Sequence, residues 1–386
     1  MSIFPMIPYG TQNLDSDDIQ AVVDTLQSSY LTQGPQVANF ELAIADYVQA
    51  QYAVATSSAT AALHIACLAL GLTKHDIGWT VPLTFTASAN AIRYCGAAID
   101  FVDIDASTGC ISVDALSKKL QQAAINNNLP KLLIVVHYSG ISCDMAAISK
   151  LCQPYNIHII EDASHAIGGK YQKKPVGCCD FSDCTIFSFH PVKIITSGEG
   201  GMITSNNQDL TEQCRLLRSH GITKNPHTMS KEHAEPWYYE QQQLGFNYRM
   251  SDIHAALGLS QLKKINHFVN MRTQQAQTYI AAFAHLPITL LQIPSNTASS
   301  WHLFVIRVKS EAKITRKQLY HALINAGIGC QVHYIPVHSQ PYYQALGFAW
   351  GDFPVTEQFY DNCLSIPIFP DLKAQQRVIS QICALF

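Results

Sequence analysis

Charge is scarce in this chain. Only 14% of its 386 residues are Asp, Glu, Lys or Arg, against roughly 25% in typical soluble domains. Neither sign dominates: 25 Lys and Arg face 28 Asp and Glu, a formal charge of −3. The basic footprint of a nucleic-acid partner is therefore missing. Long apolar runs are missing as well. The most apolar stretch, 59–72, is broken by Thr60 and His64 and falls short of the ~18 residues a membrane span needs. Residues 1–10 carry no basic segment followed by an apolar one, so no secretory signal is read and a cytoplasmic location is expected. Cysteine is plentiful, at 12, but no Cys-x-x-Cys pair occurs. Reduced thiols are expected rather than a disulfide framework. His333 and His338, five apart, and the cluster Cys178, Cys179 and Cys184 lack the paired spacing of a zinc site, so no metal is expected.

What is abundant is apolar surface, at 48% of residues. With so little charge, much of it must enter a large core or face another subunit. Helical and strand periods alternate through the first two-thirds. Helical faces are predicted after Asp15 and over 37–48, 59–70, 113–124 and 145–153. Strands are predicted at 52–56, 99–102, 132–136, 157–161, 185–189 and 202–204. Alternation of this kind implies an α/β fold with a mostly parallel sheet. Residues 222–245 show no period and read as an irregular excursion. A long helix is predicted from Ser251 to about 284. Beyond it come strands at 301–308 and 329–334 and helices at 316–326, 355–363 and 373–384. The division follows: a large α/β domain over 1–250 and a smaller α+β domain over 251–386.

Three stretches carry candidate chemistry. Ser57-Ser58-Ala59-Thr60 stands at a strand-to-helix junction. Free N–H groups at a helix start, with hydroxyls beside them, suit a phosphate, although an ordinary N-cap uses the same residues. Asp162, in Glu161-Asp162-Ala163-Ser164-His165, follows an apolar strand, where open α/β sheets place ligands. A carboxylate there can hold a pyridinium N–H, or can simply cap the next element. Lys193 ends Phe187-Ser188-Phe189-His190-Pro191-Val192-Lys193 and precedes the turn Ser197-Gly198-Glu199-Gly200-Gly201. An enclosed lysine favours its amine form, as a Schiff base requires, whereas a solvated one does not. In this order, on successive strand–helix units, the three are what pyridoxal 5'-phosphate needs.

At these residues, and at Leu31-Thr32-Gln33-Gly34-Pro35, Pro82-Leu83-Thr84-Phe85 and Gly245-Phe246-Asn247-Tyr248-Arg249, the chain resembles the DegT/DnrJ/EryC1/StrS family of sugar aminotransferases over essentially its whole length. The resemblance implies the type I, aspartate aminotransferase-like fold of pyridoxal-phosphate-dependent transferases. It implies Ala59, Thr60 and Ser188 on the cofactor phosphate, Phe85 stacked on the ring, and Asp162 at the ring nitrogen. It also implies His165 near the ring hydroxyl, Lys193 as the catalytic amine, and Asn247 reaching the phosphate in a neighbouring subunit of a homodimer. Ile7-Pro8-Tyr9-Gly10, Ser142-Cys143-Asp144-Met145 and the stretch Gln331 to His338 are similar to a branch that aminates UDP-linked 4-keto-6-deoxy-N-acetylhexosamines. L-Glutamate would be the donor and 2-oxoglutarate the product.

Substrate contacts are expected from Arg249, whose guanidinium suits phosphate. They are expected also from Tyr9, His333, Tyr334 and His338, each of which could equally pack between domains. His137-Tyr138-Ser139-Gly140 departs from the His-Phe-Ala-Gly of the family pattern. Sugar dehydratases on this fold carry histidine in place of Lys193, so its presence favours amine transfer. A non-catalytic protein on the same scaffold would not need the intact cofactor set.

Overall fold

The computed structural model describes residues 6–230 and 235–386. Residues 1–5 of the N-terminal stretch and 231–234 of the excursion lie outside the described residues. Five apolar strand segments and their connections build the heart of the molecule: β1 (Tyr52–Thr56), β2 (Ile77–Thr80), β3 (Ala98–Phe101), β4 (Leu132–Val136) and β5 (His158–Asp162). Two more, β6 (Cys184–Ser188) and β7 (Gly201–Ser205), complete a seven-stranded sheet in the order β1-β7-β6-β5-β4-β2-β3. Neighbours from β6 to β3 run parallel, while β7 is antiparallel to both β1 and β6. β4, β6 and β7 are buried at every position, as strands covered by helices on both faces must be.

The helices follow from their caps. The Asp15 side chain accepts the N–H groups of Asp17 and Asp18 and opens α1 (Ser16–Gln27) with a capping box. Pro35 opens α2 (Pro35–Val48), where its fixed φ suits the first turn. The Ser58 hydroxyl accepts Ala61 N–H and opens α3 (Ala59–Ala69). Seven consecutive residues of α3, Ala61 to Cys67, are buried, which marks an internal helix rather than an amphipathic one. It packs on α4 (Thr86–Tyr94) and against the sheet. α7 (Gln208–Arg218) completes this layer, and α5 (Val113–Ile125) and α6 (Met145–Cys152) cover the opposite face of the sheet.

The helix predicted from 251 to 284 is two helices. α8 (Asp252–Leu262) ends at Lys263 and packs on α1 and α2, and α9 (Ile265–Phe283) carries the chain onward. The C-terminal part has a three-stranded antiparallel sheet with Phe304–Val308 at its centre, between Ile288–Leu290 and Cys363–Ile366. Helices Arg316–Asn325 and Gln375–Cys383 bury Leu319, Leu323, Val378 and Ile382 beside it. The strand predicted at 329–334 is not one. Only Gln331 pairs, with Ser365, as an isolated bridge. Beyond it the His333 carbonyl is taken by the Tyr138 hydroxyl instead of a neighbouring strand. Among its described residues the excursion at 222–245 holds one short ladder, Ile222–Thr223 against Glu240–Gln241. All twelve cysteines are free.

Candidate active site

The carboxyl ends of β5 and β6 open onto a cleft of about 680 Å³, within the range of small-molecule sites. Its walls include Ser58, Ala59 and Thr60 from the start of α3, Phe85 from the start of α4, Asp162 at the end of β5 and His165 beyond it, Ser188 at the end of β6, and Lys193. The segment 331–335 from the C-terminal part and Tyr9 close the far side. Residues far apart in sequence thus meet because parallel strands deliver their C-terminal loops to one edge.

The start of α3 is arranged for an anion. Ser58 Oγ takes the Ala61 N–H and the Ser58 carbonyl takes the Ala62 N–H. The cap leaves the N–H groups of Ala59 and Thr60 at the cleft wall. Gly201 on β7 passes close behind, since a side chain there would meet the Ser58 carbonyl carbon at 2.5 Å. Any larger residue at 201 would push the Ser58 turn out of place.

Asp162 is buried and held on both oxygens. Oδ2 accepts the Ser88 hydroxyl at 2.6 Å, and Oδ1 accepts Ser164 N–H at 3.1 Å. Ser88 is itself bonded to Thr84 at 2.8 Å, and both are buried. Lys193 faces this carboxylate. Desolvation lowers its amine from 10.5 to about 8, while Asp162 pulls the other way. Three imidazoles surround the lysine. Burial keeps His165, His302 and His333 below the ordinary histidine value, His333 down to about 3, and the Lys193 charge adds to each. All three are neutral near pH 7.

His165 and His333 have defined partners. His165 Nδ1 accepts Ser139 N–H at 3.3 Å, and its Nε2 lies 2.9 Å from the Tyr334 hydroxyl. His333 Nδ1 lies 2.8 Å from Ser365 Oγ. Tyr9 stands beside His333, ring centroids 5.5 Å apart, and Tyr334 beside Phe85 at 6.1 Å. Beneath the cleft floor Glu161 and His137 form a buried pair at 2.6 Å. Cys143 N–H donates to His137 Nδ1, so Nε2 carries the proton toward the carboxylate.

Three expected site residues are elsewhere. His338 is completely buried, 2.9 Å from Glu357, and packs on Phe353. Its Nε2 is engaged inside the protein, and the ring does not line the cleft. Asn247 is exposed and Arg249 half-buried, and neither lines the cleft of its own chain. Sequence reasoning missed Ser88 and Thr84. Their i, i+4 spacing after Pro82-Leu83 was the available signal, since it lets the hydroxyl just before the helix start meet one in its first turn. Glu199, Gln331 and Gln340 also line the cleft, without a spacing that announces them. Among the described residues no cluster of His, Cys, Asp and Glu is arranged to hold a metal, and no helix is long and apolar enough to cross a membrane.

Comparison with known proteins agrees with this geometry. The chain is 39% identical over 372 residues to the UDP-4-amino-4,6-dideoxy-N-acetyl-β-L-altrosamine transaminase of Campylobacter jejuni, covering 95% of this chain and 94% of that one. Its fold superposes on Helicobacter pylori PseC, an aminotransferase involved in pseudaminic acid biosynthesis. The TM-score is 0.89 and the identity 31%, and 99% of each chain is covered. A sugar aminotransferase of Streptococcus pneumoniae, solved in its PLP form, matches with TM-score 0.88 and 28% identity over 98% of both chains. The sequence pattern of the DegT/DnrJ/EryC1/StrS aminotransferase family matches residues 12–383. The chain belongs to the DegT/DnrJ/EryC1/StrS aminotransferase family.

Proposed function

We propose that this aminotransferase uses pyridoxal 5'-phosphate to move the amino group of L-glutamate to the ketone carbon of a UDP-linked 4-keto-6-deoxy-N-acetylhexosamine. The product would be UDP-4-amino-4,6-dideoxy-N-acetyl-β-L-altrosamine, in pseudaminic acid biosynthesis. The observation that carries the reading is one cleft holding Lys193, Asp162, Ser188 and the N-terminus of α3 together. The residues fit the cofactor by chemistry: an amine for its aldehyde, a carboxylate for its ring nitrogen, and N–H and hydroxyl donors for its phosphate. Bound pyridoxal phosphate supplies a carbonyl that condenses with amines and a ring that draws off electron density at the donor's α-carbon.

The chain's own residues do the rest. Ala59, Thr60 and Ser188 hold the phosphate. Asp162, fixed by Ser88 and Ser164, anchors the ring nitrogen, and Phe85 covers a ring face. Lys193 is the catalytic residue. As an amine it would hold the cofactor's aldehyde, and when free it would take the proton from the donor's α-carbon and return it on the other side of the exchange. Tyr9, His333 and Tyr334 shape the sugar end.

Among the described residues that line the cleft, Lys193 is the only Lys or Arg, so counter-charge for a diphosphate must come from outside this wall. Arg249 is the candidate. Asn247, exposed and away from its own cleft, reaches the cofactor phosphate of a second copy in a homodimer with shared sites. The enzyme is placed in the cytoplasm, where nucleotide sugars are made. The test is to incubate the protein with glutamate and a panel of nucleotide-linked 4-keto and 3-keto sugars and to identify aminated products by NMR. A D-series 4-amino sugar or a 3-amino sugar as the preferred product would move the enzyme to a sister branch. Retained cofactor without any amine transfer would favour a non-catalytic role.

A further inference from the structure

We propose that Tyr138 is a positioning residue for the nucleotide-sugar half of the reaction: its hydroxyl holds the main chain at His333 and so sets the wall that the sugar meets. The proposal rests on the substrate reading above, since it needs a nucleotide sugar in the cleft.

The far wall hangs on few bonds. Gln331, Val332, His333, Tyr334 and Ile335 line the cleft in succession, yet they belong to no strand or helix. At one end Gln331 and Ser365 exchange backbone hydrogen bonds of 3.1 and 2.8 Å. At the other, Val337 N–H reaches the Pro82 carbonyl at 2.9 Å. Between those ends, among the described residues, a single main-chain group of 332–335 is bonded to another part of the protein. It is the His333 carbonyl, which accepts the Tyr138 hydroxyl, with the Cys363 thiol at 3.7 Å. Side chains add two ties, His333 to Ser365 and Tyr334 to His165. The rings can still turn about their own bonds, whereas the main chain decides where both begin.

Tyr138 is a fixed point from which to hold that carbonyl. It is fully buried. A side chain on Gly109 would meet its ring at 2.5 Å, and Phe359 packs on it edge-on with ring centroids 5.7 Å apart. Its chain neighbours are pinned as well. His137 pairs with Glu161, while Ser139 donates its hydroxyl to the Leu303 carbonyl at 2.7 Å and accepts His302 N–H on its own carbonyl at 3.1 Å. Burial drives the phenol well above its ordinary value, so it stays a donor. The groups proposed for the cofactor come from α3 and from the ends of β5 and β6, which leaves the 331–335 wall mainly to the substrate. Glutamate is small. A nucleotide sugar fills much more of the cleft of about 680 Å³, and a shift at His333 is felt by the larger ligand first.

The experiment separates the two half-reactions in cofactor-loaded protein. Glutamate should discharge the visible band, and a UDP-linked 4-keto-6-deoxy-N-acetylhexosamine should restore it. Tyr138→Phe removes only the hydroxyl. It is expected to raise the sugar concentration for half-maximal restoration about 5- to 10-fold, the worth of one hydrogen bond. The glutamate half should stay within about 2-fold. Ser139→Ala is the comparison. It cuts a bond from the same turn to the same C-terminal part, but at Leu303, which does not line the cleft, and its sugar half should stay within about 2-fold. An unmoved sugar half in Tyr138→Phe overturns the proposal. An equal loss in both half-reactions overturns it too, as does an equal effect from Ser139→Ala, since either is a general loosening. Should Tyr138→Phe fail to fold, Ser365→Ala frees the same stretch from the side of the His333 ring and should raise the same concentration; an unmoved value there overturns the proposal. Unaltered protein whose band glutamate discharges and no nucleotide keto sugar restores sinks the substrate reading, and the proposal with it.

Discussion

The Ser88 hydroxyl donates to Asp162 Oδ2 across 2.6 Å inside the protein, with no solvent to share the bond. The acid proposed for the ring nitrogen is thus held by a side chain 74 residues away in sequence. Removing that donor with Ser88→Ala leaves the carboxylate less fixed. Cofactor affinity is expected to fall about 10-fold, by the ~1.5 kcal/mol of one hydrogen bond to a charged group. Ser88→Thr keeps the hydroxyl and should restore it. Equal affinity in Ser88→Ala and the unaltered protein, measured by fluorescence titration of apoprotein, would show the bond to be irrelevant to the site.

Lys193 should capture aldehyde at a lower pH than an ordinary lysine. With its amine at about 8, about one molecule in ten presents the free amine at pH 7, against about one in 3,000 for an unperturbed lysine. The lowered value means the reactive form accumulates above pH 8 rather than above 10. The rate at which apoprotein binds added pyridoxal phosphate should rise with a midpoint near 8. A rate still climbing at pH 10 would contradict the desolvated lysine. Lys193→Ala should abolish both turnover and the visible band, and borohydride should fix the cofactor at position 193.

Glu161 ties stability to acid. Burial alone would raise its carboxyl, but His137, Ser182 and Thr185 together hold it below the ordinary 4.5. A lowered folded value contributes stability that is complete above about pH 4.5 and lost as pH falls through the folded value. His137→Phe would strand the carboxylate inside the protein, at a cost of roughly 3–5 kcal/mol. Thermal unfolding should drop at pH 7, and the acid-unfolding midpoint should move to higher pH. An unchanged acid midpoint would mean the pair does not carry this dependence.

His338 separates packing from recognition. Its Nε2 is bound to Glu357, and it lies outside the cleft. His338→Ala should therefore lower stability by about 3 kcal/mol and leave KM for the nucleotide sugar within about 2-fold. A raised KM with unaltered unfolding would return His338 to the substrate site.

Much of the architecture was readable from local pattern. The Leu132–Val136 run has no polar residue, so a strand covered on both sides was its best solution, and Ser58 and Asp15 announced their helices by capping chemistry. The break at Lys263 was not readable, because apolar and polar residues keep helical spacing on both sides of it. The failed strand at 329–334 had the right residues, but its backbone is claimed by Tyr138, nearly two hundred positions earlier. The departures Tyr138 and Ser139 were visible as oddities. That both hydroxyls reach carbonyls of the C-terminal part, at His333 and Leu303, was not.

By itself the sequence determined the alternating fold, the family, and the three groups proposed to hold the cofactor. These depend on residue type and on spacing along one strand–helix unit, which short-range geometry preserves. Tertiary structure alone decided which other side chains share the cleft. His165 meets Tyr334 across 169 residues, and His338 is drawn away to Glu357. Such pairings are settled by how the sheet edge meets the C-terminal segment, and no local pattern encodes that distance.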